Sequence, residues 1–174
     1  MVRFNLLRAL IVYDTVSPSR VTEIVAVTIG QVLKKEGIKT DTVFVADVSE
    51  DLIKSFDCLL VGAPTMAFKA SKAIIKFLDG LKSSSFNGKP ALAFDTQMQS
   101  RLSGSAVKGI EGKLRSLGFK LDAAPLVTYV KRGAGQNEWQ LKERELEKAK
   151  AWALEIGQSL TKQHRNNDKM PPKT

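Results

Sequence analysis

Aliphatic residues run almost unbroken from Leu7 to Tyr13, a length that suits a strand covered on both faces. After the polar stretch from Asp14 to Arg20, a stripe returns at Val21, Ile24, Val25, Thr28, Ile29, Val32 and Leu33. Its spacing of threes and fours predicts an amphipathic helix over 21–35, with Lys34 and Lys35 at the negative end of the dipole and Gly37 as the stop. The alternation continues with a strand at 40–45, a short helix at 50–55, a strand at 57–62 and a helix at 71–81. A strand at 90–94, a helix at 105–117, an extended segment at 120–131 holding a fifth strand, and a last helix over 141–160 complete it.

Strand and helix alternating in this way imply parallel pairing through right-handed crossovers. The expected fold is a three-layer α/β/α domain over 1–160, with a five-stranded parallel sheet in the order 2-1-3-4-5. Residues 161–174 are expected to form a basic, polar, disordered tail. Ligands of such open sheets bind beyond the carboxyl ends of the strands, where strand order reverses. That rule selects the segments Asp14 to Thr22, Ala63 to Lys69 and Asp95 to Gly104.

The first of these segments carries hydroxyls at Thr15, Ser17, Ser19 and Thr22 and leads straight into a helix, whose free N–H groups and positive dipole end favour an anion. Arg20 adds a charged donor. The pattern fits a phosphate site; it also fits a loop in which Ser17, Ser19 or Thr22 only caps the helix.

A length of 174 residues allows one core without crosslinks, and the lone Cys58 excludes an internal disulfide. Arg8 interrupts the N-terminal apolar run that a signal peptide needs, so a cytoplasmic location is expected. No apolar run approaches membrane-spanning length. The formal charge of +9, from 27 Lys and Arg against 18 Asp and Glu, favours acidic partners. Part of it lies in the tail, at Lys162, Arg165, Lys169 and Lys173 against Asp168. No aromatic-interleaved basic cluster accompanies it, so specific nucleic-acid binding is not expected.

Three segments together resemble the flavodoxin family over about Arg8 to Ser159. These are Val12-Tyr13-Asp14-Thr15 with its hydroxyl-rich turn, Cys58-Leu59-Leu60-Val61-Gly62-Ala63-Pro64-Thr65, and Pro90-Ala91-Leu92-Ala93-Phe94-Asp95-Thr96 followed by Gly104-Ser105-Ala106. The resemblance implies noncovalent binding of flavin mononucleotide (FMN) and electron transfer to a redox partner protein, acidic if it complements this chain's charge. By position, Thr15, Ser17, Ser19, Arg20, Val21 and Thr22 belong around the phosphate. Pro64, Thr65, Met66, Ala67 and Phe68 belong along the ring edge, and Asp95, Thr96, Gln97 and Met98 on the pyrimidine side. Arg20 and Val21 stand where the family commonly has Gly and Asn, Pro18 lacks an N–H, and the third loop lacks a covering aromatic. Two alternatives stay open: an NAD(P)H-dependent quinone reductase of the same fold, and a binding or scaffold module that has lost the flavin.

Other residues have blander expectations. Cys58 lies in an apolar strand and His164, the only histidine, in the tail. No zinc spacing or Walker motif is present. Asp95 either serves the site or caps its loop. Phe68 either covers the flavin or begins the next helix. Trp139 either reaches the binding edge or, as is expected, staples the start of the last helix, with Trp152 anchoring its middle.

Overall fold

The computed structural model describes residues 6–82, 86–100, 102 and 104–168. The parallel strands are β1 (Arg8–Tyr13), β2 (Lys39–Phe44), β3 (Cys58–Met66), β5 (Ala91–Met98) and β6 (Leu126–Arg132), and β4 (Lys69–Ala70) and β7 (Trp139–Leu141) are short. The helices are α1 (Val21–Lys35), α2 (Glu50–Lys54), α3 (Lys72–Gly80), α4 (Ala106–Ser116) and α5 (Glu145–Asp168).

Successive side chains of a strand point to opposite faces, so each central strand feeds two cores. Leu10 and Val12, Leu59 and Val61, and Ala91 and Ala93 pack with Ile53 of α2, Ile74 and Leu78 of α3, and Ile110 and Leu114 of α4. Ala9 and Ile11, Leu60, and Leu92 and Phe94 face Val25, Ile29 and Leu33 of α1 and Ala149, Ala153 and Ile156 of α5. A fully buried Leu or Ile contributes about 1.5–3 kcal/mol, so these two layers dominate the stability. Gly62 is dictated by this packing: a Cβ there would lie 2.0 Å from Phe94 Cζ.

The sheet order is β2-β1-β3-β5-β6-β7, with β4 paired to β3. The five parallel strands thus follow the expected winding, but the sheet is larger and mixed. β7 pairs antiparallel with β6, Val130 opposite Leu141 and Arg132 opposite Trp139. A turn closes this hairpin: Gly133 N–H donates to the Glu138 carbonyl at 3.0 Å, and Gly135 N–H to the Glu138 carboxylate at 2.8 Å. Strand three also runs past Gly62 to Met66, because Ala63 and Pro64 keep pairing with Asp95 and Thr96 of β5.

The last helix begins at Glu145, four residues later than its periodicity predicts, because residues 139–141 are taken by β7. It continues to Asp168, so the expected tail is helical from Thr161 to Asp168; the remainder, 169–174, lies outside the described residues, as do Met1 to Asn5 of the N-terminal run. Lys, Gln and Arg are good helix formers, and the Thr161 hydroxyl folds back onto the Gly157 carbonyl at 2.8 Å, so nothing breaks the helix after Leu160.

Candidate functional site

The three loops chosen by the reversal rule meet at the carboxyl end of the sheet. In the first, a turn closes through Arg20 N–H to the Ser17 carbonyl at 3.0 Å and feeds α1. Arg20, at the helix N-cap, has φ 49° and ψ 39°, the left-handed conformation that glycine adopts at little cost. Its guanidinium pairs with Glu23 one turn on. No side chain caps α1, so neither Ser17, Ser19 nor Thr22 has taken the capping role, and the first-turn N–H groups keep their capacity for an acceptor. The Thr22 and Thr96 hydroxyls share a buried hydrogen bond of 2.8 Å, tying the first loop to the third.

Asp95 organises the second and third loops. It is 0% exposed, and one carboxylate oxygen accepts from the Thr65 hydroxyl at 3.1 Å, the Ser105 hydroxyl at 2.8 Å and the Ala106 N–H at 3.0 Å. It therefore caps α4 across the sheet end and does not line the cleft between the loops. Burial pushes its carboxyl above the ordinary range, while the bonds from Ser105, Thr65 and the α4 N–H groups pull it back in part. The second loop is a two-residue turn, Ala67 and Phe68, with Met66 paired to Lys69. Both turn residues have positive φ, 44° and 73°. Phe68 starts no helix; its ring lies over Gly104, where a Cβ would come within 2.6 Å of Phe68 Cδ1.

Between the loops lies a cleft of about 320 Å³. Thr15, Ser17, Val21 and Thr22 line it from the first loop, Pro64, Thr65 and Met66 from the second, and Thr96, Gln97 and Met98 from the third. Ser19, Arg20, Ala67, Phe68 and Asp95 lie outside its lining. The Ser19 hydroxyl is engaged elsewhere, accepting from Trp139 N–H at 2.8 Å. Gln97 is 8% exposed, and its Oε1 has no hydrogen-bond partner among the described residues.

Val130, Asn137 and Trp139 of the β6–β7 hairpin also line the cleft as a fourth wall; sequence reasoning missed the first two and gave Trp139 a place at the binding edge only as its less favoured reading. Trp139 does not staple α5; it lies in β7 with the Arg132 guanidinium 5.3 Å from its ring centroid. The glycines at 133 and 135 are the signal that the chain reverses there. Trp152 does anchor α5, donating its indole N–H to the Ala124 carbonyl at 2.9 Å. Cys58 is buried, and desolvation pushes its thiol up to about 12, which leaves it unreactive. Among the described residues no cluster of His, Cys, Asp and Glu could hold a metal, and no helix is long and apolar enough to cross a membrane.

These features define a doubly wound α/β protein with a cleft at its topological switch point. Solved structures place it more narrowly. An archaeal flavodoxin matches with TM-score 0.73 and 24% identity over 89% of this chain and 99% of that one. Oxidised flavodoxin 2 from Bacillus cereus matches with TM-score 0.73 and 21% identity, over 87% and 99%. The flavodiiron protein from Giardia intestinalis matches with TM-score 0.70 and 18% identity over 92% of this chain and 37% of that one. No family model and no curated protein matches the sequence. The chain has a flavodoxin-like fold.

Proposed function

We propose that the cleft binds FMN and that the protein passes electrons through it to a partner protein. The observation that carries this reading is Gln97 Oε1, a buried acceptor with no donor among the described residues, set in a cleft at the place where this fold holds its ligands. The isoalloxazine ring has an imide N–H on its pyrimidine edge, and a carboxamide is the side chain that matches such an edge. The other walls suit the same group. Trp139, Met66 and Met98 offer one π face and two polarizable thioethers for a flat ring. The Thr15 and Ser17 hydroxyls, with the uncapped start of α1, offer donors to a phosphate.

When bound, FMN supplies one- and two-electron redox chemistry. The chain's own residues then bind and orient. Gln97 fixes the pyrimidine edge, Trp139 excludes water from one side, and the Thr22–Thr96 bond holds the phosphate loop at a set distance from the ring loop. Arg20 takes the left-handed angle where the resemblance expects glycine, so the loop keeps the glycine-like turn at some cost in strain.

Equilibrium dialysis of the purified protein against FMN and against riboflavin tests this reading. Saturable uptake of FMN, weaker for riboflavin because it lacks the phosphate, is expected. No uptake of either would support the scaffold alternative.

A further inference from the structure

Of the nine large hydrophobic side chains that are exposed among the described residues, five crowd the cleft end: Val16, Met66, Phe68, Met98 and Leu102. Phe68 stands out among them. It is 59% exposed, does not line the cleft, and occupies a turn position of φ 73° beside Ala67 at 44°. An Asn-Gly pair would make the same tight turn without strain. The backbone angle therefore favours glycine at 68, and the ring, which lies over Gly104, lines no part of the cleft.

Acidic groups at this end are engaged, Glu23 with Arg20 and the Glu138 carboxylate with Gly135 N–H, and several basic ones stand free. Lys69 next to Phe68, Lys72 and Lys108 in the first turns of α3 and α4, and Lys131 and Arg132 at the end of β6 are exposed, and none forms an ion pair among the described residues. At the opposite end of the sheet, Lys113 pairs with Asp79, and Lys120 with Asp122 at 2.8 Å.

We propose that the cleft end is a docking face for an acidic protein, with Phe68 as its apolar anchor and Lys69, Lys72, Lys108, Lys131 and Arg132 as its basic rim. An apolar centre within a charged rim is the anatomy of a transient protein interface, in which charge steers the encounter and a central aromatic slows release. A phosphate backbone or lipid headgroup would use the lysines but leave Phe68 and Leu102 facing charge. This goes beyond the flavin reading, because the rim and Phe68 lie outside the cleft lining and keep their character whether or not a ligand is bound.

The test is an amide-shift titration of the ¹⁵N-labelled full chain, with and without FMN, using rubredoxin as the acidic probe and cytochrome c as the basic one. At low salt, rubredoxin is expected to shift the amides of Met66 to Lys69, Leu102 and Lys131 to Arg132. Raising salt to about 0.3 M should remove the shifts through screening. Phe68→Gly should weaken binding about tenfold while the melting temperature holds or rises. Lys69→Glu with Lys131→Glu should weaken it about as much and flatten its salt dependence. The proposal is overturned if the shifts are absent or map to α5, or if cytochrome c gives them equally. It is also overturned if Phe68→Gly binds as well as the parent, or if duplex DNA or anionic vesicles bind this face and rubredoxin does not. Loss of FMN uptake leaves this result standing, and its failure leaves FMN binding untouched.

Discussion

An amide oxygen held at 8% exposure without a donor costs the fold about 1–3 kcal/mol of desolvation, unless a ligand supplies the missing proton. Gln97→Leu should therefore leave thermal stability equal or higher, yet weaken FMN binding by about tenfold, since the ring's imide would lose its partner. A stability loss with unchanged FMN affinity would assign Gln97 to the fold instead. Asp95 is a divided case: the fold uses its Oδ2, while its Oδ1 is buried without a partner among the described residues. Its folded carboxyl lies above the ordinary value of 3.8, so its contribution to stability is present below that value and lost as pH rises through the folded one. Asp95→Asn should flatten the fall in melting temperature in the window opening near pH 3.8, as followed by circular dichroism. Asp95→Ala, which strands the hydroxyl donors of Thr65 and Ser105 and leaves Ala106 N–H only the Thr65 hydroxyl, should cost about 1–3 kcal/mol in urea unfolding.

At the scale of elements, the β3–β4 turn and the β6–β7 hairpin set the shape of the cleft mouth. Replacing Ala67 and Phe68 together by Asn and Gly should stabilise the chain by about 1–2 kcal/mol, because both positions hold positive φ; an unchanged urea midpoint would mean that the strain is relieved elsewhere. What could be read in the sequence follows the same division. α1 was legible to the residue at 21–35, since a clean stripe meets a basic last turn and Gly37. The three loops were legible from the reversal rule, and most of their expected residues line one cleft. β7 was not, because three residues are too few for a period to show, and Trp139 was consequently placed at a helix start. Phe68 and Asp95 were assigned to the ligand by position along the loop; side-chain direction, which a linear pattern does not encode, puts one outside the cleft and the other beneath it.

For the whole molecule, a net charge of +9 acts on any charge that develops in the cleft. Reduction adds negative charge to a bound flavin, so the positive field raises its reduction potential, and salt screens that field. The potential of the FMN complex should fall as ionic strength rises; a potential that holds or climbs would mean that local groups outweigh the global charge. All of this presupposes that the cleft takes the flavin against Trp139. The most direct measurement is a titration of the Trp152→Phe variant with FMN, followed by indole fluorescence, because Trp139 is then the only tryptophan left. Saturable quenching that ends at a single equivalent of FMN is the predicted result. Fluorescence that stays level while FMN is added, or uptake of FMN that leaves Trp139 unquenched, would contradict it.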